Sequence, residues 1–500
     1  MTNDTTLAKK QRQSTIPTLI AICFVLSGAT ALVYEVLWAR MLGLVLGATT
    51  VAISAVLTAF MGGLALGSAL AAKLIDKISK PLRTYGLLEM AIGFYALLVP
   101  ILFAAVDSTH AVLWQSFHPG TFSSALLRFA LAALVLVIPT SLMGATLPVL
   151  VAAVRRAGNE RAAPVARLYT LNLAGAIIGT VLAGFFFLPN FGVHITIWIG
   201  AAANVAIGIA AFVFDRKRSV NKQIAATVDE PVNSFNSNRI GECSEHDLLG
   251  RARFWLLCAF TSGLVTIGMQ IVWARVLAMI IGSSTYAFTI VLALFLIGLA
   301  VGAWIVSAMI ESNLASLRRA ILVVQLLTAA MLFFSLRMTN AIPAWLVTSG
   351  FRFGVSSWIG LLLLQIAASA ILILVPAAVM GMMMPTVLTW AGTTGYESRA
   401  KSQTAAKIVG QSYAVNTVGA IAGAILTAFV LIPMTSTRFA VYCMASVCVA
   451  IAGLSYVPRK QTIDPALARS LSIAVAFVLI FGMLFMWPRL NLNALSTGAY

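Results

Sequence analysis

Glu35 is the side chain whose type and position most invite chemistry. It lies about 19 residues into an apolar run that begins near residue 16. An ionisable group inside such a run is costly, which makes it a functional hypothesis by default. The chemistry it offers is the binding of a proton or a small cation. At the equivalent place in a second copy of the same segment stands Gln270, which removes the charge and makes such a site asymmetric. The competing reading puts Glu35 near the outer headgroups beside Trp38 and Arg40, since tryptophan and arginine are ordinary anchors at a helix end. Glu35 and Arg40 are five residues apart, off the face that would pair them within one helix.

Other polar residues recur in pairs. Arg40 and Arg275 occupy equivalent places. They either flank a central cavity that receives an anionic group or snorkel from a helix end. Asn172 precedes Gly175 and Gly179, and Asn416 precedes Gly419 and Gly423. Glycines four apart let helix backbones approach closely, and an asparagine there can hydrogen-bond across the contact. The alternative is a substrate contact. Pro148 and Pro385 follow Gly144 and Gly381. They fit a kink or helix end, or a broken helix whose freed carbonyls hold an ion. Glu89 lies a few residues into the third apolar run, where it pairs with a nearby arginine, reaches water or carries a function.

Soluble catalytic patterns are missing. His110, His118, His194 and His246 have no ligand spacing, nor do Cys23, Cys243, Cys258, Cys443 and Cys448, so no metal site is expected. No phosphate-binding Gly-x4-Gly-Lys-Ser/Thr loop occurs, which argues against an ATP-driven pump. No catalytic residue and no cofactor is expected.

The elements that must position these residues are membrane spans. Hydrophobic residues make up 60% of the 500 and charged residues 10%, where a soluble domain carries roughly 25% charged residues. Apolar runs of about 20 residues or more recur along the chain, each long enough to cross a bilayer as a helix. Six spans are predicted near 16–46, 50–74, 84–106, 125–154, 165–188 and 192–214. Six more follow near 253–281, 284–310, 317–338, 355–392, 405–431 and 436–457, with a thirteenth near 470–487. With the N-terminus in the cytoplasm, 26 of the 33 Lys and Arg residues fall in cytoplasmic segments. The net charge of +18 is therefore the positive-inside bias and not a nucleic-acid footprint. The basic N-terminal residues precede a run too long for a signal peptide, so a retained first helix is expected.

The chain contains itself twice. The segment from Ser27 to Arg40 returns as Ser262 to Arg275, 235 positions later. Gly67 answers to Gly302, Met143-Gly144 to Met380-Gly381, and Tyr169, Asn172 and Pro189 to Tyr413, Asn416 and Pro433. The offset drifts only to 244. Each half has an even number of spans, so both enter from the same side. They form parallel repeats related by an axis along the membrane normal, a major-facilitator-like plan. The expected organisation is a disordered N-terminus (1–15), a first six-helix repeat (16–214), a cytoplasmic linker (215–252), a second repeat (253–457), an extra transmembrane helix (458–487) and a tail (488–500). The fold class is all-α and polytopic.

The segment from Leu32 to Arg40, the run from Gly62 to Ser68, Met143 to Pro148 and Leu168 to Ala176 resemble the membrane part of the fused transporter–spermidine synthase family. So do Ile271 to Arg275 and Ser283 to Phe288 in the second half. Leu495 to Tyr500 resembles the segment leading into that family's aminopropyltransferase domain, which residues 1–500 do not contain. The resemblance implies a module linked to polyamine metabolism in the bacterial cytoplasmic (inner) membrane. It moves a small cationic metabolite by alternating access, or it serves as a non-transporting anchor or substrate-presenting module for an aminopropyltransferase domain or subunit. Apart from the lipid bilayer these are the expected partners. Nucleic acid is not among them, and no enzymatic activity is expected of the chain itself.

Overall fold

The computed structural model describes residues 18–46, 50–118, 121–155, 163–226, 245–282, 284–309, 314–397 and 402–456. The expected thirteenth span and the two termini lie outside these residues. Every regular element described is helical. A backbone surrounded by lipid must satisfy its own hydrogen bonds, and helices do so segment by segment.

The first half comprises α1 (Thr18–Leu46), α2 (Thr50–Leu74), α3 (Pro81–Phe117), α4 (Thr121–Arg155), α5 (Ala163–Val181) and α6 (Leu188–Ala226). The second comprises α7 (Glu245–Ile281), α8 (Thr285–Met309), α9 (Leu314–Thr339), a short α10 (Ile342–Arg352), α11 (Trp358–Gly381), α12 (Met383–Glu397), α13 (Ser402–Ile425) and α14 (Thr437–Tyr456). Among the described residues eleven stretches are long and apolar enough to cross a membrane. One of them, Thr170–Arg216, spans 47 residues and reverses at Gly192, where φ is 71°. It therefore crosses twice. A side chain at that φ would be strained, and glycine is not. The described residues thus hold twelve crossings.

The two halves pack alike. In the first, α1 lies chiefly against α5, α2 against α4 and α3 against α6; in the second the matching pairs are α7 with α13, α8 with α11 and α9 with α14. Small residues make these crossings close. A Cβ on Gly175 would overlap the carbonyl oxygen of Val25, and one on Gly179 that of Ala29. Gly419 and Gly423 stand in the same relation to Phe260 and Leu264. Gly67 meets the Ser141 backbone, and Gly302 that of Ala378. In lipid there is no hydrophobic drive between helices, so close van der Waals packing of this kind takes its place.

The duplication extends to a helical irregularity. After α5 the chain widens into a π-helix over Leu182–Phe187, and after α13 it does so again over Leu426–Leu431. The two segments lie 244 residues apart, the same offset as the sequence repeat. The fourth span differs between the halves. In α4 the helix runs on through Pro139 and Pro148. Its counterpart breaks at Met382, between α11 and α12, which puts Pro385 in the first turn of a new helix, where the missing N–H costs little.

The halves meet along two seams related by the same symmetry, α2 against α13 and α5 against α8. Call the end of the bundle where α1 and α7 begin the near end, and the opposite end the far end. Phe185 stacks on Tyr286 at 6.0 Å between centroids, and Phe129 lies 6.5 Å from Phe429. The Arg40 guanidinium approaches Thr285 Oγ1 at 3.5 Å. Leu57 belongs to the apolar core of the second half and Leu292 to that of the first. All these contacts lie at the far end. Residues 289–295 of α8 are buried without interruption, whereas Val301 and Trp304 nearer its other end are exposed. A helix buried on every side over two turns is surrounded by protein. The seam is therefore shut at the far end.

Candidate functional site

α1 places Glu35 among the most enclosed residues of the first half. Tyr34, Val36, Leu37 and Trp38 have no exposure, and Glu35 itself is 3% exposed. Tyr34 and Trp38 are stacked, 5.3 Å apart and 9° from parallel, and Trp38 tilts against Phe60 of α2 at 6.4 Å. Trp38 is thus a core residue and not a headgroup anchor. Among the described residues Glu35 has no hydrogen-bond or ion-pair partner. Two further buried polar atoms of the first half are also unpaired, Trp38 Nε1 and Thr58 Oγ1.

The second half repeats the frame with a neutral centre. Gln270 is 4% exposed, between Met269 and Ile271, and like Glu35 it finds no partner among the described residues. Trp273 matches Trp38 and packs edge-on to Phe295 at 6.2 Å, as Trp38 packs on Phe60. Here the indole is satisfied: Nε1 donates to Ser335 Oγ at 2.8 Å. The matching position of α3 is Val99.

The remaining residues of the sequence-based set fall elsewhere. Arg40 is exposed at the far seam, and Arg275 is half-buried with interactions of its own. Asn172 sits at the α1–α5 crossing, its Nδ2 3.5 Å from the Phe24 carbonyl, and its backbone oxygen lies where a Cβ on Gly28 would be. Asn416 has the same relation to Gly263. Both asparagines lie at the crossings of helices within a half.

A second buried carboxyl stands apart from these. Glu89 on α3 has no exposure. Ser27 Oγ of α1 donates to its Oε1 at 2.6 Å, and Asn204 Nδ2 of α6 donates to its Oε2 at 2.7 Å. Tyr34 Oη donates in turn to Asn204 Oδ1 at 3.1 Å. The expectation that Glu89 pairs with an arginine or reaches water is not met: the nearby Arg83 pairs with Asp215 at 2.6 Å instead. Sequence reasoning missed Ser27, Tyr34 and Asn204. The available signal was positional, since Glu89 and Gln325 are matched at an offset of 236 just as Glu35 and Gln270 are at 235.

Among the described residues no group of three or more His, Cys, Asp or Glu side chains could hold a metal. The arrangement offers instead two buried carboxyls in one half and amides at the same places in the other.

No family model matches the chain, and no curated protein matches it. Among solved structures it is similar to the nucleoside transporter NupG, with 14% identity, a TM-score of 0.49, and coverage of 88% of this chain and 97% of that one. It is also similar to FucP, a Major Facilitator Superfamily transporter in the outward conformation, with 14% identity, a TM-score of 0.42, and coverage of 88% and 100%.

Proposed function

We propose that this chain is a secondary-transporter-like membrane module that moves a small molecule by alternating access, with Glu35 in the pathway. The observation that carries the reading is a carboxyl buried to 3% exposure without a partner among the described residues, in a bundle built from two repeats. An ionisable side chain held without a partner inside a membrane protein is expensive and persists where it is used. The seams support the same reading. Two repeats joined along α2–α13 and α5–α8, and shut at the far end, are the geometry in which one half rocks against the other. With Glu35 in one half and Gln270 at the matching place in the other, the bundle carries one ionisable carboxyl there rather than two, which suits a cation or a proton. The cargo class we infer, a polyamine or a related small cation, rests on the sequence resemblance and on that charge.

The test is uptake of labelled spermidine or putrescine into proteoliposomes, wild type against Glu35→Gln. Uptake that requires the carboxylate supports both the cargo class and the residue. Uptake indifferent to the substitution keeps the carrier and removes Glu35 from its pathway. No uptake by well-folded protein overturns polyamine transport and favours the anchor role for an aminopropyltransferase.

A further inference from the structure

We infer that Glu89 is a proton-binding site built into the first half, with the proton taken on its Oε1 oxygen. The inference deepens the transporter reading by naming a proton as the coupled ion.

α3 and α9 are buried in the same register at an offset of 236: Tyr85, Glu89, Ile92, Ala96 and Val99 match Ile321, Gln325, Thr328, Leu332 and Ser335, all buried. α6 and α14 match at 244, so that Asn204 corresponds to Cys448. Ser27 corresponds to Ser262. The second half therefore holds a neutral amide of the same shape, Gln325, buried at the matching position of α9. Packing at that position does not require a carboxylate. The first half has one all the same, and a buried charge without a cation is strongly disfavoured.

The groups facing Glu89 are known from each element against it. α1 supplies Cys23, Ser27 and Tyr34; α3 itself supplies Tyr85; α6 supplies Asn204. The only charged residues of α4, Arg128 and Arg155, lie toward its two ends. No lysine or arginine among the described residues pairs with Glu89. The species that neutralises it in place is a proton.

The hydrogen bonds decide which oxygen takes the proton. On the Oε2 side the phenol of Tyr34 donates into Asn204 Oδ1, which turns the Asn204 amino group toward the carboxylate as a fixed donor. A proton on Oε2 would face that N–H. On the Oε1 side stands a hydroxyl, which can donate or accept. When a proton from water joins Oε1, the Ser27 hydroxyl turns to accept it and directs its own hydrogen elsewhere. The Cys23 carbonyl, four residues back on the same helix, is the ordinary acceptor for a serine in a helix. It already accepts from the Tyr85 hydroxyl at 3.4 Å, a long bond that the serine would share or displace. At the near end a small apolar crevice between α1, α3, α4 and α6, lined by Leu19, Cys23, Leu82, Tyr85, Leu150 and Phe214, stops short of the buried Glu89. Cys23 and Tyr85 lie one turn from Ser27 and Glu89.

The test is infrared difference spectroscopy of the full chain in liposomes, between mildly acidic and mildly alkaline buffer. The expected result is a carboxylic-acid carbonyl band that appears on acidification in wild type and is missing from Glu89→Gln. Ser27→Ala is expected to keep the band and to change the proton affinity about fivefold, the worth of one ordinary hydrogen bond. A difference spectrum unchanged by Glu89→Gln overturns the site. An unchanged titration in Ser27→Ala overturns the assignment to Oε1, and this variant carries the test if Glu89→Gln does not fold. Polyamine uptake is read separately. Titration without uptake leaves the proton site standing and removes the transport reading, and uptake without titration does the reverse.

Discussion

Gly28 and Asn172 meet so closely that a Cβ on the glycine would overlap the asparagine's carbonyl oxygen, and Gly263 and Asn416 repeat the contact in the other half. The pair fixes what the helical Gly-xxx-Gly stripes do. Between them, Gly28 on α1 and Gly175 and Gly179 on α5 bring two backbones together along a whole face.

Leucine at Gly175 or at Gly419 should therefore destabilise the bundle by about 1–3 kcal/mol or more, as overpacking does. Because the two crossings are geometrically alike, the two losses should be similar. Thermal unfolding in detergent measures both. A loss at one and tolerance at the other would mean that the halves do not share the crossing.

The tryptophan pair gives a sharper comparison. Ser335→Ala leaves the Trp273 indole N–H buried without its acceptor, at a cost of about 1–3 kcal/mol. Trp38 Nε1 already lacks one. Val99→Thr places a hydroxyl at the position that Ser335 occupies in the duplicate. It should be nearly neutral in wild type and destabilising by about 1 kcal/mol more in a Trp38→Phe background, where the new hydroxyl has no donor. A double-mutant cycle on thermal stability reads the coupling, and a coupling near zero would mean that the indole and position 99 do not meet.

The closed far end makes a prediction about traffic. Cysteines at Arg40 and Thr285, in a chain whose native cysteines have been replaced, should be joined by a bifunctional thiol reagent about as long as the lost arginine side chain, since the Arg40 guanidinium reaches Thr285 Oγ1 at 3.5 Å across the seam. The cross-link should abolish at least about nine-tenths of uptake, because the halves could then no longer separate there. Uptake that survives complete cross-linking would show that the far seam does not open during transport.

The spans were legible in the sequence because hydropathy answers directly to the bilayer. A close helix approach was legible in the glycine stripes at Gly175 and Gly419, but not which helices would meet there. The junction around Glu89 was not. Its partners Ser27, Tyr34 and Asn204 come from helices 62 and 170 residues apart in their contacts with α3 and α1, and no local spacing joins them. The depth of Glu35 and Trp38 was ambiguous for a related reason. A tryptophan near a carboxylate reads the same at a headgroup as in a core until its neighbours in space are known. The π segments leave no pattern in residue type, since LAGFFF and LTAFVL share little beyond apolarity.

The second of those segments carries an unpaired hydroxyl, Thr427 Oγ1, on a residue with no exposure. A hydroxyl buried without a partner costs about 1–3 kcal/mol relative to an apolar group of the same shape. If the fold alone governs the position, Thr427→Val should raise stability by up to about that amount and leave uptake unchanged. The π-helix argues for a different outcome, because such widened turns are frequent at functional sites. Its twin presses Gly184 against Thr289 of the other half, so the two segments sit where the halves must slide. The expected result is therefore a protein that unfolds at higher temperature and transports more slowly. Thermal stability and initial uptake rate, measured on the same preparation, decide the matter. A gain in stability with full uptake would make Thr427 a residue of the core alone.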